Sequence, residues 1–253
     1  MNADLIERQK QSFDELVDSG IYSADFEHNS RAKSFVASVL QQAISRARLR
    51  SPLRVLDCGC GTGAWLQFIS AELSQAGYED QRLCGFDLSG RMVDVARVKL
   101  RDAAHAPDLR VGNVLEAHSY DFDGTEGGFD LIFTYDVVQQ LPRNLQLDAC
   151  RAIIGALAPN GMALIFDNDS QSRFGRRMAV RKFMTRYFGL QLVPRYFCNA
   201  SYPPLEKFRH KIAIESSCDV QIAARTDGVK RALVVSRPAL GHGAADKQPV
   251  RAR

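Results

Sequence analysis

Three glycines at alternate positions, Gly59, Gly61 and Gly63, follow Asp57 at the end of a short apolar run, Val55-Leu56, and Ala64-Trp65-Leu66-Gln67-Phe68-Ile69 then takes up helical spacing. Glycines at this density reach backbone angles closed to other residues and leave bare N–H groups at a helix start, which is how a main chain cradles a nucleotide. A second acid, Asp87, closes the next apolar run, Arg82 to Phe86. At the carboxyl end of a strand beside the glycine turn, it is placed to accept both hydroxyls of a ribose. Two chemistries share this pattern. Gly59, Gly61 and Ala64 with Asp87 satisfy the G-x-G-x-x-G/A dinucleotide fingerprint and so admit an NAD(P)-dependent dehydrogenase. Gly63, however, falls one residue early for that fingerprint, and it gives Asp57 no part.

The run Val55 to Gly63 resembles motif I of the class I S-adenosylmethionine-dependent methyltransferases, an acid followed by G-x-G-x-G. Three further blocks follow in order. Gly85-Phe86-Asp87-Leu88-Ser89-Gly90-Arg91-Met92 resembles the family's G-x-D-x-S-x-x-M, in which the residue after the acid and the methionine pack on adenine. Phe129 to Leu141 resembles its fourth-strand block, with Gln140 where a histidine is frequent, and Leu157-Ala158-Pro159-Asn160-Gly161 resembles its turn into the fifth strand. Asparagine replaces a glycine there, and it is a residue that tolerates a left-handed backbone. The resemblance spans Leu53 to Asp167 and implies S-adenosylmethionine as cofactor. It implies a small-molecule methyltransferase on a Rossmann-like, seven-stranded, mostly parallel sheet with helices on both faces, an antiparallel last strand and an N-terminal helical lid. Its cofactor residues would be Asp57, Gly59, Cys60, Gly61, Gly63, Asp87, Leu88, Met92, Asn113, Val114 and Tyr135. Asn113 stands where the family usually has an acid for the adenine amino group, a role an amide oxygen also fills. The sulfonium methyl would point to the strand end at Thr134 to Asp136.

The elements that must position these residues divide the chain into an N-terminal helical cap (1–50), a methyltransferase domain (51–238) with a substrate-cap insertion at about 170–216, and a disordered tail (239–253). Two apolar stripes in the cap, Leu5-Phe13-Leu16 and Phe35-Val36-Val39-Leu40-Ile44, predict two helices, with Asn29 or Ser30 capping the second. The intervening polar and aromatic stretch offers Tyr22 and Arg31 as lid contacts to the cofactor, and His28. If a proton must leave the nucleophile, His28 and Asp136 are the candidate bases. Two runs around Thr226-Asp227-Gly228 predict a closing hairpin.

Charge is unevenly placed. The net charge is +4, yet ten basic residues and one acid fall between Gln171 and Lys211, a local excess of +9. That segment carries the substrate candidates Arg176, Arg177, Tyr196 and Tyr202, to which Gln139 is added from the fourth-strand block. They suggest an acidic, small or carrier-linked acceptor methylated on oxygen or nitrogen, and the basic amphipathic helix also suits peripheral contact with an anionic membrane surface. Rival readings are an RNA methyltransferase using the 173–211 face and a magnesium-dependent catechol-type enzyme with Asp136, Asp167 and Asn168 as oxygen ligands. Nucleic acid is disfavoured, since the chain shows no RNA-binding module. Six scattered cysteines make neither a zinc pattern nor a disulfide framework, so no metal site is expected. With no apolar leader and no membrane span the chain reads as cytoplasmic, as a monomer or homodimer.

Overall fold

The computed structural model describes residues 2–18, 29–47, 49–193 and 200–239, with the side chains of 2–6, 16 and 18 outside the description. The elements are helices α1 (Asn2–Asp18) and α2 (Ser30–Arg46), strand β1 (Leu53–Cys58), α3 (Ala64–Gln75), β2 (Gln81–Asp87), α4 (Gly90–Leu100), β3 (Asp108–Val111) and β4 (Phe129–Tyr135). They continue with α5 (Gln146–Gly155), β5 (Leu157–Asn168), α6 (Arg173–Phe188), α7 (Leu205–Ser216), β6 (Asp219–Ala224) and β7 (Lys230–Ser236). The strands form one sheet in the order β3-β2-β1-β4-β5-β7-β6, parallel except for β7, which runs antiparallel to both its neighbours.

Continuous apolar runs dictate the middle of the sheet, because a strand covered by helices on both faces has no polar side to alternate. All six residues of β1 are buried, as are the first six of β4. One core layer joins Leu40, Leu66, Ile69, Phe133 and Phe166, the other Phe86, Phe129, Ile153, Ile165 and Leu233. Cys58, Cys60, Cys84, Cys150 and Cys218 are buried free thiols serving as small apolar fillers.

Local capping agrees with the sequence. Asn29 caps α2 by accepting from Ala32 N at 3.1 Å, and Ser89 caps α4 by accepting from Met92 N at 3.1 Å. Asn160 takes the left-handed conformation at φ 64°. Val138–Gln140 is a single 3-10 turn after β4, and α5 starts at Gln146. The order of the sheet reverses direction at β1, whose neighbours are β2 and β4, so the crevice above their carboxyl ends is where an open α/β sheet takes its ligand.

Candidate active site

A cavity of about 620 Å³ opens at that crevice, inside the size range of small-molecule sites. Its floor is the set of strand ends: Gly59, Cys60 and Gly61 after β1, Asp87 and Leu88 at the end of β2, Tyr135 and Asp136 at the end of β4, and Asn168 at the end of β5. Gln9, Ser12 and Phe13 of α1 line it from above, and Phe174, Met178 and Arg181 of α6 close one side.

The glycine turn is built for close approach. Gly59, Gly61 and Gly63 all have positive φ, at 77°, 52° and 77°. A Cβ at Gly59 would lie 2.3 Å from Val137 Cγ2, and one at Gly63 would lie 2.6 Å from Leu100 Cδ1. Gly59 and Gly61 line the cavity. Gly63, the N-cap of α3, lies outside the lining, and its missing Cβ lets that helix seat on α4.

Asp87 locks this turn to the second strand. One carboxylate oxygen accepts from Gly61 N at 2.8 Å and the other from Ser89 N at 2.9 Å, so each oxygen keeps acceptor capacity toward the cavity. Burial raises the Asp87 pKa, while the N–H groups of Ser89 and Gly61 pull it back. Asp57 also departs from expectation. It is absent from the cavity wall and lies buried beneath the turn, with one oxygen that has no partner among the described residues. Burial, and then the charge of Asp87, push its pKa well above the carboxylate range. A cation or donor laid over the turn would relieve this crowding of acids, whereas a pyrophosphate would aggravate it.

Leu88, Met92, Asn113 and Val114, the residues expected at the adenine, all line the cavity. Asn113 Oδ1 already accepts from Leu115 N at 3.1 Å and its Nδ2 donates to Glu116 at 3.1 Å, so the oxygen's second lone pair and one amide hydrogen are left for a ligand. At the cap, Ser89 Oγ donates to Asp14 and Gln9 bonds Gln140, so α1 is tied to both sides of the cavity. Arg31 is exposed and outside the lining, where Asn29 takes the place expected for it. Tyr22, His28 and Tyr196 lie outside the described residues.

The opposite end carries residues the sequence reading did not select. Lys230, at the start of β7 and 4% exposed, is ion-paired with Asp136, and its ammonium sits 4.6 Å from the centroid of the Tyr135 ring. Asp136 itself has φ 62°, a conformation that turns its side chain off the strand end. A metal ion at this corner would have to displace Lys230, and Asp167 beside it is buried, with Oδ1 accepting from Gln139 N at 3.2 Å. Burial, then Asp136, raises the Asp167 pKa well above its usual value. Among the described residues no group of three metal-ligating side chains comes together. Gln139 lines the cavity but spends its side-chain oxygen on Asn168 Nδ2 at 2.9 Å. Tyr202 lines it too, beneath the Lys182 ammonium at 4.1 Å, and burial pushes its hydroxyl up to about 12.

Arg176 and Arg177, the expected substrate clamp, are exposed and lie outside the lining; the arginine of α6 that reaches the cavity is Arg181. The difference is one of helix phase: Phe174 and Met178 are half-buried against the cavity, and Arg181 stands exposed at its edge. Arg225 is also in the wall, but Asp227 holds it at 2.8 Å. No carboxylate among the described residues pairs with Arg181.

A cradle of bare backbone and the acid Asp87 at the end of the neighbouring strand together make one end of the cavity, over an acid beneath the turn with one oxygen unpartnered among the described residues. Residues 55–161 match the family model described as a methyltransferase domain. The chain has the fold of the class I S-adenosylmethionine-dependent methyltransferases, whose cofactor is S-adenosylmethionine. It is 25% identical over 122 residues to a Thermoplasma acidophilum protein named "Probable cobalt-precorrin-6B C(15)-methyltransferase (decarboxylating)". That match takes in 46% of this chain and 56% of the relative, so the chain spans little more than half the length of the curated protein it resembles. Magnesium protoporphyrin IX methyltransferase from Synechocystis PCC 6803 superposes with a TM-score of 0.58 at 17% identity, over 82% of this chain and 84% of that one. The plantazolicin methyltransferase BpumL gives 0.58 at 15% identity, over 94% and 97%.

Proposed function

We propose that this protein transfers a methyl group from S-adenosylmethionine to an oxygen or nitrogen of a small or carrier-linked acidic metabolite. The observation that carries the reading is the layout of one cavity: bare backbone and the acid Asp87 at the end by the glycine turn, and at the other Lys230 paired with Asp136, Arg225 paired with Asp227, and Arg181 held by no carboxylate among the described residues.

The bound cofactor would supply an activated methyl on a sulfonium. Gly59 and Gly61 would hold its backbone-facing side, Asp87 its ribose hydroxyls, and Leu88, Met92 and Asn113 its base. The chain's own contribution is alignment and exclusion of water, which is worth roughly 7 to 11 kcal/mol when two reactants are held in line. α1 supplies the roof through Gln9, Ser12 and Phe13. An oxygen or nitrogen lone pair attacks without prior carbanion formation. That suits a wall whose acceptor-side carboxylate, Asp136, is engaged by Lys230. Arg181 would meet the acceptor's anionic group.

The test is transfer of labelled methyl to a panel of carboxylic acids and their methyl esters. Wild type should prefer the acids. Arg181→Met should lose about tenfold in kcat/KM on acids, the low end of a hydrogen bond to a charged group, since Arg181 is partly in solvent. Its turnover of esters and its cofactor affinity should hold. An undiminished preference for acids in the variant would overturn the assignment.

A further inference from the structure

We propose that the outward face of α6 is a docking surface for an anionic phospholipid membrane. Residues three and four apart share a helix face, and here Arg173, Arg176, Val180, Phe183 and Tyr187 form one such line, every member exposed. Val180 is 63% exposed, Phe183 53%, Tyr187 68% and Phe188 64%, a density of bare apolar side chains that no core requires. The three rings form a contiguous patch, Phe183 lying 4.8 Å from Tyr187 and 6.1 Å from Phe188 between centroids, and Leu190 and Leu192, each 44% exposed, continue it.

The helix is fastened at its other end. Gly175 is its buried residue, seated so tightly that a Cβ there would fall 2.0 Å from the carbonyl oxygen of Asp169. Arg173, Arg176 and Arg177 crowd the anchored end, Arg181, Lys182 and Arg186 carry the positive charge on along the helix, and the exposed apolar side chains gather toward the free end. From Ser170 to Leu205 the chain has no acidic residue.

Charge complementarity calls for an anionic partner, and the apolar half selects which one. Single-stranded RNA would reward the arginines and the rings, but Val180, Leu190 and Leu192 offer it nothing to stack on. An acidic protein surface would leave the same side chains wet. The boundary between headgroups and acyl chains takes both, with arginine at the phosphates and aromatic and aliphatic groups below them. The opposite face of α6 presents Phe174 and Met178 to the cavity, so a docked helix sets the cavity beside the lipid. On the methyl-transfer reading, the acceptor is then an amphiphile taken from the interface.

Sedimentation of the full chain with vesicles tests this. Partitioning should be strong to phosphatidylcholine mixed with about one-third phosphatidylserine, absent with phosphatidylcholine alone, and weaker as salt rises. Phe183→Ser/Tyr187→Ser and Arg173→Gln/Arg176→Gln/Arg177→Gln should each lower it at least tenfold. S-adenosylhomocysteine affinity, unchanged in both variants, reports that the fold and the cofactor site are intact, and so separates a failure of docking from a failure of the enzymatic reading. The proposal is overturned by equal binding to neutral vesicles, by no binding to anionic ones, by variants that bind like wild type, or by a preference for RNA or an acidic carrier protein over lipid.

Discussion

Replacing Gly59 by alanine puts the turn's geometry to a quantitative test. The φ of 77° places an L-residue in the left-handed region, at a cost of about 1 to 2 kcal/mol. The new Cβ would also lie 2.3 Å from Val137 Cγ2, an overlap that the side chain or the strand end must relieve, and overpacking of this kind costs about 1 to 3 kcal/mol. Gly59→Ala should therefore destabilise the protein by about 2 to 5 kcal/mol in urea unfolding, with the m-value unchanged. Val137→Ala removes the methyls in the way, so in the double variant the clash vanishes and the backbone cost stays. The two substitutions should then couple by about 1 to 3 kcal/mol, the double variant being more stable than the sum of the singles predicts. Additivity within about 0.5 kcal/mol would refute the packing argument. A Gly59→Ala protein as stable as wild type would refute the backbone argument as well.

Asp57→Asn should separate stability from pH. Because the Asp57 pKa is raised in the folded state, the native protein holds a proton that the unfolded chain, with an ordinary carboxylate pKa of about 3.9, has released. That contribution is fully present below the unfolded pKa and is lost as pH rises through the folded one. Across this window, wild-type stability should fall relative to Asp57→Asn by up to about 1.4 kcal/mol per pH unit, as read by thermal unfolding without ligand. Parallel curves for the two proteins would show that Asp57 is not protonated by burial.

How far the site could be read from the sequence depended on how local its causes are. The turn from Asp57 to Gly63, the acid at Asp87 and the hairpin of β6 and β7 are set by neighbours in the chain, and the structure places them where the sequence did. The seven-stranded, mostly parallel sheet with its antiparallel last strand is implied by the succession of the linked motifs. What escaped was long-range. Lys230 reaches the cavity because the antiparallel register of β7 against β5 sets it opposite Asn168, and no periodicity in the sequence announces that register. Arg181 was passed over for Arg176 and Arg177 because α6 carries apolar and basic residues around its whole circumference, so its phase is fixed by the seating of Gly175 on Asp169. Asp57 and Gly63 belong to the motif but act beneath it, one as a buried charge and one as a packing gap.

The central claim is that the turn at positions 59 to 61 and the carboxylate of Asp87 together hold an adenosyl ligand. Calorimetric titration of S-adenosylhomocysteine into wild type and Asp87→Ala tests it most directly. Wild type should bind, and the variant should lose about 100- to 1,000-fold in affinity, two charge-assisted hydrogen bonds at about 1.5 to 3 kcal/mol each, reduced by the relief of a costly buried charge. Binding of a nicotinamide dinucleotide in place of S-adenosylhomocysteine, or equal S-adenosylhomocysteine affinity in both proteins, would contradict it.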